Sequence, residues 1–285
     1  MTAPDLSLVV LAWNQLELTR TCVRSLRAGT SSGYELIMVD NGSTDGTADF
    51  ASAEADIAVL NQSNLGFAPG MNAGLKVASG EVTVFVNNDT EFPKGWDLHL
   101  VEDFSTHPRA GVVLPAVTAA GNPVSVRSTP GDTVERLLPF GEFPSGVVYL
   151  VRTNLMRQLG GWNEAFEGAS AEDLDLVFTM WAHGLDVILD TRVLIEHVSQ
   201  ASMRERPDLS ALYRRNLELF LDRWESGPEG PILDTVTSEE YGRNLERART
   251  AVVWIRRMIA ARQESAMLSN EPDGARKKGR FRSRS

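Results

Sequence analysis

Four short clusters in this 285-residue chain hold side chains that could do chemistry. The first is Asn87-Asn88-Asp89, which closes the apolar run Val82–Val86. A carboxylate at the end of a strand can hold a hard divalent cation through oxygen, and such a cation can bridge a diphosphate. The plain alternative is a turn, which the same residue types favour. The second cluster is the loop from Asn61 to Gly74, where Gly66 and Gly70 allow tight backbone. A helix starting near Ala68 would present N–H groups to an anion. No Gly-Lys-Ser/Thr follows, so this is not a P-loop. The third is Glu172-Asp173-Leu174-Asp175, with three acids at the start of a helical segment. The helix dipole alone favours acids there. Asp173 and Asp175 point in different directions on a helix, so they should not share one role, and either in a cleft could deprotonate an alcohol. The fourth is His197, after an apolar run. A lone histidine is more often packed or hydrogen-bonded than a ligand. Cys22, the single cysteine, falls on the apolar face of a helix and reads as a small core residue.

The elements that must position these residues alternate along the first half. Leu6–Leu11, Leu36–Val39, Ile57–Leu60 and Val82–Val86 are short apolar runs typical of buried strands. Between the first two, Leu16, Thr19, Cys22, Val23 and Leu26 share one helical face, and Gly29 suits the helix end. The polar turn Asp40–Thr47 should open a further helix. Strands separated by helix-length segments imply βαβ units and a mainly parallel sheet flanked by helices. The polar clusters lie at the carboxyl ends of these strands, the edge where open α/β sheets bind ligands. Further on, 111–117 and 146–151 read as strands, with a Gly-, Pro-, Ser- and Thr-rich loop between them. A helix is expected over 171–182, strands over 185–189 and 193–198, and a helix over 209–224. After the breaker Gly227–Pro231, Tyr241, Leu245, Ala248, Val252, Ile255 and Ile259 form the apolar stripe of a last helix.

Composition sets outer bounds. Hydrophobic residues make up 42 % and charged residues 23 %, as in a soluble globular chain of one large or two small domains. No run approaches 18 apolar residues, and the N-terminus does not read as a secretory signal. One cysteine excludes an internal disulfide framework, so a reducing cytoplasm is the expected compartment. The net charge is −10, although the last eleven residues carry Arg276, Lys277, Lys278, Arg280, Arg282 and Arg284 and no acid. An acidic body of this kind argues against a nucleic-acid partner.

Taken in order, the motifs resemble family 2 glycosyltransferases. Val39–Thr47 looks like the family's first nucleotide-binding motif, and Asn64–Phe67 with Asn72–Gly74 looks like its second. Val86–Thr90 resembles the Asp-x-Asp motif in an Asn-Asn-Asp form found among rhamnosyltransferase-like members. Gly160–Phe166 followed by Glu172–Leu176 resembles the acceptor-side segment and the Glu-Asp motif. Glu196-His197 and Tyr213–Asn216 fit the late part of such enzymes. The resemblance covers roughly residues 5–225 and implies a GT-A fold. A nucleotide-binding half (about 1–110) would join an acceptor-binding half (111–225), followed by a helical extension (226–269) and a basic, disordered tail (270–285).

By that resemblance Asp40 contacts the base of a sugar nucleotide, with Ala12 and Asn14 lining the same pocket and Asn87 near the ribose. Asn41, Asn64, Gly66, Asn72 and Asn88 belong to the nucleotide-binding motifs. Asp89, with His197, would hold Mg²⁺ or Mn²⁺ on the diphosphate. Asp173 would be the general base of a single inverting displacement, with Trp162 and Glu172 on the acceptor side. Asn41 and Asn87 stand where many members carry aspartate, which leaves more of the cation's shell to water or diphosphate.

The implied partners are a UDP- or dTDP-linked donor and a glycan, lipid-linked or small-molecule hydroxyl acceptor. Two other functions remain open: a nucleotidyltransferase acting on sugar phosphates, and an inactive glycan-binding scaffold of the same fold. For the amphipathic helix over 239–262, two placements stand. It packs on the catalytic domain or on a second copy in a homodimer, or with the basic tail it docks on an anionic membrane surface.

Overall fold

The computed structural model describes residues 4–119, 122–123, 134–137, 147–168, 170–198, 209–228 and 230–269. The basic tail after Asn270 and most of the Gly/Pro-rich stretch lie outside the described residues. The first half alternates as its periodicity requires. β1 (Leu6–Ala12), α1 (Leu16–Gly29), β2 (Tyr34–Asp40), α2 (Thr47–Glu54), β3 (Ile57–Leu60), α3 (Phe67–Val77) and β4 (Val82–Asn87) follow one another. They are followed by β5 (Thr90–Glu91), α4 (Trp96–Thr106), β6 (Ala110–Ala119), β7 (Asn122–Pro123), β8 (Val134–Leu137), β9 (Val148–Arg152), α5 (Thr153–Gln158), α6 (Glu172–Ala182) and β10 (Asp186–His197). Two long helices end the described chain, α7 (Leu209–Ser226) and α8 (Ser238–Ser269).

All ten strands share one sheet, ordered β3-β2-β1-β4-β9-β6-β10-β5, with β7 paired to β6 and β8 to β10. β3, β2, β1 and β4 are mutually parallel, and so are β6 and β10. β9 runs antiparallel to both β4 and β6 and joins the two parallel groups. Alternate side chains of β1 go to opposite faces, which is why the strand is apolar at every position but Ser7. Leu6, Leu8 and Val10 join a core with Cys22, Val23, Leu26, Trp96 and Leu100 from α1 and α4. Val9 joins a second core with Met71, Leu75, Trp162, Leu176 and Met180 from α3, the segment after α5, and α6. A third core lies between α6, α7 and α8, built on Phe166, Phe178, Phe220, Trp224, Ala248, Ala251 and Val252.

Two expectations change, and the last helix takes one of its two expected placements. The strands expected over 185–189 and 193–198 are one strand, β10, whose pairing with β6 shifts register between Asp190 and Leu194. Arg192 causes the local kink: its backbone N–H and its guanidinium both donate to the Asp190 carboxylate. The stretch expected as a loop before 146 contributes β7 and β8, and β8 pairs over four residues with β10. The apolar stripe of α8 packs inward, with Ala248, Ala251 and Val252 buried against α6 and α7. Among the described residues no helix is long and apolar enough to cross a membrane.

Candidate active site

Parallel register sets the first wall of the site. Ala12 pairs with Asp40, and Leu11 with Asn87, so three strands deliver their last residues to one edge. Beyond β1 the chain turns through two left-handed residues, Asn14 (φ 55°) and Gln15 (φ 63°). This strained turn places Asn14 against the loop after β2. Its backbone N–H donates to Ser43 Oγ at 2.7 Å, and its Oδ1 accepts from Thr44 N–H at 2.8 Å. Asp45 holds the same loop from the other side by accepting from the N–H groups of Leu16 and Thr47. Burial pushes that carboxyl up, but hydrogen bonds from Thr47 and Leu16 outweigh it and keep the carboxyl below its usual range.

Asp40 is 2 % exposed. Its Oδ2 accepts from Gly42 and Ser43 N–H at 3.2 and 3.1 Å, while its Oδ1 is buried with no partner. A buried carboxylate oxygen without a donor is costly, so a ligand N–H or O–H there would recover that energy.

Asn41 does something else. Its Nδ2 donates to Asn64 Oδ1 and Gly66 O, each at 3.0 Å, and its Oδ1 accepts from Asn61 Nδ2 and Leu65 N–H, each at 3.1 Å. All four of its hydrogen-bonding positions are used within the chain, so it acts as a strut that shapes the second loop. Asn64 is a strut too, accepting from Asn41 and Gly66. Gly66 has φ +94°, and a Cβ there would meet the Gly168 backbone at 3.1 Å. Only glycine lets the two loops come this close. The start of α3 therefore offers less to an anion than its sequence suggests. Phe67 N–H donates to Gly168 O at 2.7 Å, and Pro69 has no N–H. Asn72 likewise turns inward, with its side chain exchanging hydrogen bonds with both the N–H and the C=O of Trp162 and reaching Glu164.

At the end of β4, Asn88 Nδ2 donates to Thr19 Oγ1 at 2.8 Å. Asp89 and His197 come together from β4 and β10: Asp89 Oδ2 lies 3.0 Å from His197 Nε2, both side chains about nine-tenths buried. Val198 N–H donates to Asp89 O and fixes the two segments to each other. His197 Nδ1 is buried without a partner. Asp89 Oδ2 and His197 Nε2 are hydrogen-bonded to each other, so a divalent cation held here would displace that bond and take most of its shell from a ligand. No group of three or more ligating side chains occurs among the described residues. Cys22, beneath this turn, is pushed up to about 12 by burial and stays a thiol.

The second wall comes from α6. Ser170 (φ 107°) and Ala171 (φ 65°) are both in the left-handed region immediately before it. Asn216 of α7 holds this turn by donating to the carbonyls of Glu167 and Ser170, and Arg215 pairs with Glu167. Strain held by surrounding contacts at a carboxylate pair is a mark of a functional position. Asp173 is partly exposed, and its Oδ1 accepts from Leu174 N–H at 2.8 Å. Burial raises its carboxyl above the usual range. Glu172 is 7 % exposed, with an unpartnered Oε2. Burial first, then the charge of Asp173, raises it to about 8.

Asp175 points elsewhere, as helical geometry requires. It accepts from Arg223 Nε, Trp224 Nε1 and Asn163 Nδ2 and bolts α7 onto α6. Glu172 and Trp162 line a cavity of about 320 Å³ with Asn163, Thr179, His183 and Arg223. Phe67, Phe85 and Tyr149 hold the Trp162 ring edge-on, and its Nε1 has no partner.

Two tyrosines stand at this wall, and Tyr149 is not evident from motif spacing. The Tyr149 hydroxyl is buried beside Asp173, and Tyr149 is held well above its usual range by burial, then by Asp173 and Glu172. Tyr213 feels the same two carboxyls from α7. The signal for Tyr149 is one polar-tipped residue inside the apolar run Val147–Val151.

Comparison with known proteins bears on the fold and the family. Residues 7–142 match the sequence profile described as glycosyl transferase family 2. That stretch, just under half of the chain, is similar to the family. The uncharacterized glycosyltransferase YibD of Escherichia coli is 33 % identical over 90 residues, 30 % of this chain and 26 % of its own length. Glycosyltransferase AglE of Haloferax volcanii is 29 % identical over 120 residues, 40 % of this chain and 38 % of its own length. The matched segment thus spans less than two-fifths of either relative. Residues 1–349 of S. aureus TarS, solved with UDP-GlcNAc, superpose with a TM-score of 0.62 at 15 % identity, covering 87 % of this chain and 72 % of that one. Mannosyltransferase PcManGT of Pyrobaculum calidifontis, solved with GDP-Man and Mn²⁺, gives a TM-score of 0.61 at 17 % identity, covering 96 % of this chain and 78 % of that one. The fold is of the GT-A type.

Proposed function

We propose that the chain transfers a sugar, with inversion, from a UDP- or dTDP-linked donor to a hydroxyl of a glycan, a lipid-linked glycan or a small molecule. The observation that carries this reading is the free, buried Asp40 Oδ1 at the carboxyl edge of the parallel strands, on the same edge as Asn87. Asp40 accepts a hydrogen bond from the nucleotide, and Ala12, Asn14 and Asn87 line the same slot. Asn41, Asn64, Gly66 and Asn72 support it from behind, and Asn88 fixes the turn.

Asp89 and His197 would hold Mg²⁺ or Mn²⁺, which supplies positive charge against the departing diphosphate. Asp173 takes the acceptor's proton while the acceptor oxygen bonds to the anomeric carbon. The bond from that carbon to the diphosphate oxygen breaks in the same step, its electron pair leaves with the diphosphate, and the configuration inverts. Burial, then the charge of Asp173, favours the protonated form of Glu172, which limits the negative charge beside Asp173. Trp162 and Glu172 would stand on the acceptor side.

The test is incubation with Mn²⁺, a hydroxyl acceptor and UDP-, dTDP- and GDP-linked sugars in turn. Release of nucleoside diphosphate, with a product of inverted anomeric configuration by proton NMR, is the expected result. Release of pyrophosphate would establish nucleotidyl transfer instead.

A further inference from the structure

The inward face of α8 is accounted for by the third core, but its outward face is not. On a helical projection Arg243, Arg247, Thr250, Trp254 and Met258 lie within one narrow stripe, with Arg257 and Val253 on its flank. Trp254 is 48 %, Met258 40 % and Val253 39 % exposed. Large apolar side chains on the solvent side of a helix whose other side is already packed are not explained by the fold.

The arginines of α8 separate into two groups. Arg256 faces α7 and pairs with Glu218, Asp222 and Glu225, so the helix cannot roll to bury its outer face. Arg243 and Arg249 pair with Glu239 and Glu246 of α8 itself. Arg247 and Arg257 are exposed and make no ion pair among the described residues. They lie on the same side as Trp254 and Met258. This is unusual in a chain of net charge −10. The sequence then adds Arg262 and, after the helix, six further cations between Arg276 and Arg284.

We propose that the outward face of α8 docks on an anionic lipid bilayer, with Trp254, Met258 and Val253 entering the interface and Arg247 and Arg257 facing the headgroups. A bilayer surface offers apolar depth and negative charge together along a straight line, which is what this face presents. Tryptophan suits that boundary because its ring is amphipathic. A second copy of the chain fits less well. An isologous contact through this face would set the same two unpaired arginines against themselves. The inference stands apart from the active-site reading, because it requires no turnover.

The full chain is sedimented with vesicles of phosphatidylcholine alone and with vesicles of equal parts phosphatidylcholine and phosphatidylglycerol. Binding to the anionic vesicles only, lost in high salt, is expected. The pairs Trp254→Ser with Met258→Ser and Arg247→Glu with Arg257→Glu should each weaken partitioning by about 10-fold or more. Melting temperature and helical circular dichroism should be unchanged, since neither pair touches the buried face. Failure to sediment at low salt would overturn the proposal. So would unchanged binding in both pairs when truncation after Asn270 abolishes it, because the tail alone would then account for binding. Light scattering that shows a dimer split by the Trp254 pair, without vesicle binding, would assign the face to a second copy and also overturn it.

Discussion

Glu172 carries a cost that a single substitution should reveal. In the unfolded chain its carboxyl titrates near 4.5, and in the folded protein burial beside Asp173 raises it to about 8. Between those values the folded protein keeps a proton that the unfolded chain has lost, so stability falls as pH rises through that window and levels off above it. Each pH unit in the window is worth about 1.4 kcal/mol, and the window as a whole about 5 kcal/mol. Coupling to Asp173 makes that figure a ceiling, and about 2–5 kcal/mol is the range to expect. Glu172→Gln keeps the shape of the protonated acid and removes the titration. Urea unfolding of both proteins at pH 5, 6, 7, 8 and 9 gives the difference directly. The glutamine variant should be close to the parent at pH 5 and more stable by about 2–5 kcal/mol at pH 9, at equal m-values. Parallel stability curves would show that Glu172 is solvated or ionised in the folded protein, and would refute the account of the carboxylate pair.

Other outcomes follow from the same geometry. Asp173→Asn should retain donor affinity by calorimetry and lose about 10²-fold or more in kcat, the scale of a positioned base; lost donor binding with unchanged kcat would move the residue to the nucleotide site. Asp89→Ala should abolish metal-stimulated turnover with its circular dichroism unchanged, and near-normal turnover would remove Asp89 from the cation. Asn41→Asp should destabilise by about 2–4 kcal/mol in urea, because a carboxylate cannot donate to Asn64 Oδ1 and Gly66 O and is itself buried. Gly66→Ala should lower both stability and donor affinity, since its φ of +94° and the nearby Gly168 backbone leave no room for a methyl group.

What the sequence made legible was local. β1, β2 and β4 are buried on both faces, so they are mostly apolar, with Ser7, Glu35 and Thr83 as their interior polar residues, and the polar residues ending them mark the edge of the sheet. Asp40, Asp89, His197 and Asp173 are singled out in this way or through motif order. What escaped depends on contacts between distant segments. Nothing near Asn41 or Asn72 says that their amides are consumed by Gly66, Leu65 and Trp162, because those partners lie 24 to 90 residues away. Tyr149 is hidden for the same reason, since it becomes polar in meaning only when α6 brings two carboxyls beside it. The single β10 was read as two strands because Asp190 and Arg192 interrupt its apolar pattern. The outward Trp254 and Met258 were invisible because a helical stripe shows where a core must be, not what is left exposed after it forms.

The place of β9 in the sheet has a practical consequence. It comes late in the chain, at residues 148–152, yet it lies between β4 and β6, both of which are made before it. The stretch matched by the family, residues 7–142, ends short of it. A polypeptide cut at that boundary would lack both β9 and β10, leaving one edge of β4 unpaired and β6 without either of its long neighbours. Such a fragment should be recovered as aggregate, and its edges should accept residues 148–152 supplied as a separate peptide. On a ribosome the same edges stay unpaired until the missing strands emerge, so this sheet closes from the middle and its early half waits on a late piece.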